Sequence, residues 1–296
     1  DLAVHTYNAT LNSFTKFSGG QGTEEMLVTD VFTAGKLKEY EAWLRSRNAS
    51  WNTVSTYMRV LKAVYNRLVE AKRLTYDARL FDSVYTKVEA QSKRSLTEEQ
   101  MNTLLRTDFE KLPEDVQNVL AYFLLMFLFR GMPFIDMAYL RKQDLKEHCI
   151  TYCRHKTGKK MVVRIPHEAT ALFEKCRNKK TDSGYLFPIL DETTENEKKL
   201  YENYRQALRT FNRKLAKMAA LLLPGTNISS YTARHTWATL AFYSGIPIGI
   251  ISKALGHSSI KVTETYLKPF ENEKVDAAND ELIMSVVKRS KEKIVA

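Results

Sequence analysis

An arginine, a histidine and a tyrosine stand at Arg234, His257 and Tyr266, 23 and 9 residues apart, inside SYTARHTWATLAFYSGIPIGIISKALGHSSIKVTETYLK (Ser230 to Lys268). Together they suit a phosphodiester, which resists attack because negative charge builds on the phosphate oxygens; donors already aimed at those oxygens help most. Arg234 offers a planar fork that stays cationic at any working pH, and His257 can add a hydrogen bond. A tyrosine hydroxyl, with a pKa of about 10, becomes a useful nucleophile only beside positive charge and a proton acceptor. Its attack would leave a covalent phosphotyrosine that keeps the energy of the broken bond. Strands could then be rejoined without ATP, a metal or any other cofactor.

Three short helices must carry these groups. Trp237, Leu240, Ala241 and Tyr243 mark the first, which ends at Gly245, the residue type favoured past a helix C-terminus. Pro247 suits the first position of a second helix bearing Ile248, Ile250, Ile251 and Leu255. Gly256 ends that helix and can take the left-handed conformation that swings His257 outward. A third helix, Ile260 to Leu267, places Thr263 and Tyr266 one turn apart, so Tyr266 sits near a helix end, before Pro269.

This pattern resembles the C-terminal active-site box of the tyrosine recombinase (phage integrase) family. The matching residues are Arg234-His235, Ala238-Thr239, Leu255-Gly256-His257 and Tyr266. The resemblance implies that Tyr266 is the nucleophile and that Arg234 and His257 hold the phosphate. A leaving sugar oxygen also needs a proton donor. Upstream, Ile150, Tyr152 and Arg154 alternate, a Lys-Thr-Gly-Lys turn follows, and Met161, Val163 and Ile165 alternate again, which is a β-hairpin signal. In the resembled family a lysine at the start of this turn is the general acid, and Lys156 matches it. Lys159 and Lys160 are alternatives, and a basic turn can also serve to touch backbone phosphates only.

Two positions depart from the family pattern. The first active-site arginine normally follows Gly-Leu after an apolar helix; here the helix, Val119 to Phe129, leads into Arg130-Gly131-Met132-Pro133-Phe134-Ile135-Asp136, and Pro133 takes the arginine's place. Arg130 lies about one helical turn earlier and is expected to reach the same phosphate, unless it only caps the helix. The histidine usual three residues before the second arginine is Tyr231, which can donate to the phosphate but is a weak base. The acceptor of the Tyr266 proton is therefore left open.

The whole chain suits this chemistry. Its 296 residues carry 45 Lys and Arg against 34 Asp and Glu, a net charge of +11, and such a basic surface suits nucleic acid or an anionic membrane. With 44% hydrophobic residues it can bury real cores. Its longest apolar run, Val119 to Phe129, is too short to cross a bilayer. Three cysteines, Cys149, Cys153 and Cys176, point to a reducing compartment, and the expected setting is the bacterial cytoplasm, on DNA. No signal peptide is visible, and the start at Asp1 suggests a trimmed N-terminus. A zinc site from His148, Cys149, Cys153 and His155 is set aside: on one strand Cys149 and Cys153 would lie roughly 13 Å apart, far beyond Zn–S bonds of about 2.3 Å. Neither an ATP-binding loop of the Gly-x-x-x-x-Gly-Lys-Ser/Thr type nor a His-Glu-x-x-His pair occurs.

The expected fold is mainly α. Residues 1–92 form an N-terminal helical bundle that resembles the core-binding (SAM-like) domain of the same family, and 93–296 form a mostly helical catalytic domain with a small antiparallel hairpin. Val4, Tyr7, Leu11 and Phe14 space a first helix, Thr33 opens a second with Leu37, Tyr40, Trp43 and Leu44, and a third runs from about Asn52 to Ala71. That third helix is expected to bury Val54, Tyr57, Leu61, Val64 and Leu68 and to display Ser55, Arg59, Lys62 and Asn66. Laid in a DNA groove, it would bring Thr53, Thr56, Arg59 and Lys62 to phosphates or base edges. Glu89 to Ser95 reads as a linker, and Thr97-Glu98-Glu99-Gln100 as a capping box, with Leu96 and Met101 as a hydrophobic staple. Tyr201, Tyr204, Leu208, Phe211, Leu215 and Met218 stripe a long helix. A last helix, about 271–296, is implied by the resemblance to dock on a neighbouring subunit.

The reading is thus a DNA recombinase working through a 3′-phosphotyrosine, as a tetramer on two double-stranded sites. A binding protein that kept the fold without the chemistry, and a type IB topoisomerase, are the competing classes. Retention of Arg234, His257, Tyr266 and Lys156 together favours the enzyme, and the Leu-Gly-His box with the N-terminal bundle favours recombination. No arm-binding domain is visible, so a compact integrase or an invertase fits, and Arg-Gly-Met-Pro-Phe-Ile-Asp with Ser-Tyr-Thr-Ala-Arg-His resembles the Bacteroides-type branch.

Overall fold

The computed structural model describes residues 2–19, 27–87, 95–191, 196–267, 275–276, 278–284 and 287, and its chain divides into two compact units, Asp1–Ser92 and Lys93–Ala296. The first unit contains α1 (Leu2–Phe17), α2 (Val28–Val31), α3 (Ala34–Ser46) and α4 (Trp51–Glu70). Local chemistry starts the two longest of the later helices: Thr33 accepts from Lys36 N and Ser50 from Thr53 N, caps worth about 1 kcal/mol each. The core gathers Phe14, Leu37, Tyr40, Leu44, Val54, Met58, Leu61 and Tyr65 with Leu80, Phe81 and Val84.

Two expectations about this unit are corrected. Val4 and Leu11 are exposed, so α1 buries Thr10 and Phe14 instead of the full stripe. Ser55 is buried, because α4 packs against both α1 and α3 and so covers more than one stripe; Tyr57, Val64 and Leu68 are half-buried. Arg59, Lys62 and Asn66 do face outward.

The second unit opens with α5 (Glu98–Leu105), where Thr97 and Gln100 form the full capping box. Leu96 and Met101 are both buried, and Leu96 N donates to Thr236 Oγ1 at 2.9 Å. Ser95, read as linker, is buried, while 88–94 lie outside the described residues. Then come α6 (Glu114–Leu128), α7 (Phe134–Tyr139), strands β1 (Leu145–Lys146), β2 (Cys149–Cys153) and β3 (Lys160–Arg164), and α8 (His167–Cys176). Next are α9 (Glu197–Leu222), α10 (Thr232–Tyr243), α11 (Ile248–Leu255) and α12 (Ile260–Glu264).

Helix α6 is apolar nearly all round, as a central helix should be; it buries Val119, Leu120, Phe123, Leu124 and Leu125 and packs on α8, α9 and α10. The sheet is antiparallel in the order β1-β2-β3, with Cys149 opposite Arg164 and Cys153 opposite Lys160. A smaller cluster of Ala238, Ala241, Ile251, Leu255 and Leu267 joins α10 and α11 to the segment after α12. Farther on, 278–284 is helical, and Val275, Leu282, Ile283, Met284 and Val287 are exposed. Among the described residues no helix is long and apolar enough to cross a membrane.

Candidate active site

Arg234 lies in the first turn of α10 and is almost fully buried. Its guanidinium is held open by carbonyls: Nη1 donates to Gly131 O at 2.9 Å and Nη2 to Leu255 O at 2.5 Å. Nη2 also lies 3.1 Å from His257 Nε2, while Nε is buried without a partner. Gly131 makes this possible. It follows α6 with φ +66, and a Cβ there would fall 2.9 Å from Arg234 Cα. Arg130 takes φ +59, so two successive left-handed residues turn the chain at this point, a conformation Arg adopts at some cost.

His257 is delivered by the turn that Gly256 makes at φ +67. The ring is buried, and Nδ1 lies 3.0 Å from Thr263 Oγ1. Burial, then the charges of Arg234, Arg154, Lys156 and Lys159, push its pKa down to about 4, so the imidazole is neutral at pH 7. Tyr266 stands two residues beyond the end of α12; the helix predicted to reach Leu267 stops at Glu264, and Tyr266 N closes a turn onto Thr263 O at 2.9 Å. The phenol ring lies 4.7 Å from the rings of both His235 and His257. Arg234 is 5.6 Å from its centre, and the hydroxyl side interacts with that same guanidinium.

A residue that sequence reasoning passed over completes the cluster. Arg154, at the end of β2, is 5% exposed; Nη1 donates to Leu255 O at 3.1 Å and to Gly256 O at 3.4 Å, and Nε lies 3.4 Å from Asp136 Oδ2. Asp136 is buried too, and its Oδ1 accepts from His155 N at 2.9 Å. The signal was present in the alternation of Ile150, Tyr152 and Arg154: an arginine in register with an inward-facing Ile is a cation that must find a carboxylate. Two buried guanidiniums thus act on one carboxylate, with Arg154 in contact with it. Burial holds Asp136 above the usual carboxylate range despite its neighbours; burial and Arg154 hold Arg234 below its ordinary value. An anion entering this cluster would relieve the repulsion between the cations.

The other predicted residues are distributed around this centre. Arg130 Nη1 reaches Val162 O at 3.4 Å, next to the Gly131 carbonyl that Arg234 uses. Lys156 is exposed in the hairpin turn, Lys159 Nζ donates to His257 O at 3.2 Å, and Lys160 begins β3. Tyr231 stands at the N-cap position of α10 without a capping side-chain bond, exposed, 6.1 Å ring to ring from His235. In the first unit, Thr53 shares a 2.9 Å contact with the capping Ser50 and Thr56 donates to Asn52 O at 2.7 Å. Arg59 is exposed, and Lys62 lies 5.7 Å from the Phe81 ring centre.

Comparison with known proteins bears on these observations. The model of the phage integrase family matches residues 94–273, and that of the phage integrase SAM-like domain matches 2–79. The chain is 26% identical over 243 residues to the tyrosine recombinase XerA of Pyrococcus furiosus, covering 80% of this chain and 76% of that one. Among solved structures it is similar to the Tn1549 transposon integrase in complex with a circular intermediate DNA, with a TM-score of 0.63, 17% identity and coverage of 92% and 91%. It is also similar to a lambda integrase tetramer bound to a Holliday junction, with a TM-score of 0.61, 13% identity and coverage of 88% and 70%. At those identities the structural likeness speaks for the fold.

Proposed function

Because the chain belongs to the phage integrase family of tyrosine recombinases, enzymes that cut and rejoin DNA, we propose that Tyr266 attacks the scissile phosphate at the centre just described. The observation that carries this reading is the convergence of His257 and Tyr266 on the Arg234 guanidinium, beside a second buried arginine, in a cluster with more cationic than anionic charge. The Tyr266 oxygen forms a bond to phosphorus, the 5′ oxygen leaves, and Arg234 holds the non-bridging oxygens as charge develops. Lys156, exposed in the turn, gives the leaving oxygen its proton; Lys159, engaged with the His257 carbonyl, is the alternative donor.

Pro133 removes the family's first arginine, and we assign its work to Arg154, with Arg130 as the competing candidate. Arg154 is favoured because it and Arg234 grip the same Leu255 carbonyl, which aims both forks into one place. On this reading the exposed face of α4, with Arg59, Lys62, Thr53 and Thr56, grips double-stranded DNA together with Lys160, and the enzyme acts as a tetramer on paired sites in the bacterial cytoplasm. An integrase or invertase of the Bacteroides-type branch is the form this takes. The test is a supercoiled plasmid carrying two copies of the crossover sequence. Inverted or excised product, made without ATP and with EDTA present, supports the reading; relaxed circles alone would favour the topoisomerase class, and unchanged plasmid the binding-only class.

A further inference from the structure

Tyr231, a weak base, stands in place of the family's histidine, and the surroundings of His257 offer an acceptor for the Tyr266 proton. An arginine only donates hydrogen bonds. With Arg234 Nη2 3.1 Å from Nε2, Nε2 must present its lone pair to the site. The ring's proton then sits on Nδ1, where the Thr263 hydroxyl, 3.0 Å away and fully buried, accepts it. A hydroxyl can donate or accept, so Arg234 selects the tautomer, and Thr263 holds the ring through Nδ1 with Nε2 turned to the guanidinium. The bare nitrogen belongs to a ring in contact with the Tyr266 phenol, and both address the same guanidinium.

We propose that His257 Nε2 takes the phenolic proton of Tyr266 as the tyrosine oxygen attacks, and that Thr263 is the positioning residue that holds the His257 ring with Nε2 facing the site. The inference rests on Tyr266 being the nucleophile. As the Oη–phosphorus bond forms and the bond to the 5′ oxygen breaks, the proton passes to Nε2 and His257 becomes an imidazolium with both nitrogens protonated. On rejoining, the 5′ hydroxyl displaces Tyr266, and the imidazolium returns the proton to the phenolate oxygen. Binding of the scissile phosphate draws the Arg234 fork away from Nε2 and frees its lone pair. The charges that act most on His257 are those of Arg234 from α10, Arg154 after β2, and Lys156 and Lys159 from the hairpin turn, with the Asp136 carboxylate beyond Arg154. Phosphate between these cations and the ring offsets their repulsion, which makes a transient imidazolium accessible in the complex and not in the free chain.

The experiment measures single-turnover formation of the covalent complex by the full chain on a nicked crossover duplex. It uses the native chain, Thr263→Val, which keeps the shape and removes the hydroxyl, and Thr263→Ser, which restores it. A well-placed general base is worth on the order of 10²–10⁴-fold, and losing its orientation is expected to cost Thr263→Val about 10–100-fold of that, with Thr263→Ser returning to within a few-fold of native. Two chemical rescues locate the defect. Difluorotyrosine at position 266, a more acidic phenol, should restore Thr263→Val, whereas a 5′-bridging phosphorothiolate substrate, whose sulfur leaves without an acid, should not. Native rates in Thr263→Val, or rescue by the phosphorothiolate in place of the fluorinated phenol, would overturn the inference. A native chain that forms no covalent complex at all would instead overturn the nucleophile assignment beneath it.

Discussion

At the scale of single residues, the centre is governed by an imbalance of buried charge. Arg154 lies beside the carboxylate of Asp136, which also feels the charge of Arg234, and neither cation reaches solvent freely. Removing one member of such a buried pair is costly, about 3–5 kcal/mol, because the other charge is left uncompensated. Arg154→Gln should therefore lower the melting temperature as well as slow cleavage. Adding Asp136→Asn separates the two effects: the double variant is expected to recover most of the stability, while cleavage stays down by about 10²–10³-fold, the usual cost of losing one donor aimed at developing charge. Cleavage restored together with stability would show that Arg154 is only structural and would return the role to Arg130. The same residues show why part of the site was hidden in the sequence. Arg234, His257 and Tyr266 declare themselves by fixed spacing along a short stretch, but Arg154 is brought in by strand register, and only the fold reveals that its side of the hairpin faces α11.

The elements hold this arrangement through their ends. Helix α6 stops in two left-handed residues, and the second, Gly131, turns its carbonyl onto Arg234 while leaving no room for a side chain. Gly131→Ala must accept a left-handed alanine, at about 1–2 kcal/mol, and must also push a Cβ against the α10 backbone. Gly158→Ala, at φ +65 with nothing within 4 Å, carries the strain alone. We expect Gly158→Ala to cleave nearly as well as native and Gly131→Ala to lose at least tenfold in rate, a cost of about 1.4 kcal/mol or more in the barrier; equal rates in a single-turnover assay would mean that the α6 end does not position Arg234. Such ends are legible where the chemistry is local. The capping box at Thr97, the stop at Gly245 and the turn at Gly256 each follow from a few adjacent residues. What required the third dimension was burial: Ser55 is covered because two helices flank α4, Val4 and Leu11 are left uncovered on α1, and the two-residue β1 exists only by pairing with β2. The end of α12 before Tyr266 likewise depends on Leu267 turning back into the α10–α11 cluster.

For the molecule as a whole, a net charge of +11 means that the grip on DNA should come largely from release of counterions. Affinity should fall steeply with salt, and removal of one phosphate contact should lower the slope of log K against log salt by about 1. Arg59→Ala and Lys62→Ala are each expected to do this without altering sequence preference; a slope unchanged in both would take the α4 face out of the interface. Binding alone, however, is common to enzyme and inert relative, and the departures at Pro133 and Tyr231 bear on chemistry. The decisive measurement is therefore a denaturing gel of the full chain with a nicked duplex bearing its crossover sequence, selected beforehand from random DNA by binding to the Tyr266→Phe chain. A covalent protein–DNA band is expected for the native chain and not for Tyr266→Phe, although both bind the duplex equally. A band that survives in Tyr266→Phe would take the nucleophile's role from Tyr266, and no band from a native chain that binds tightly would mean that the chain does not cleave.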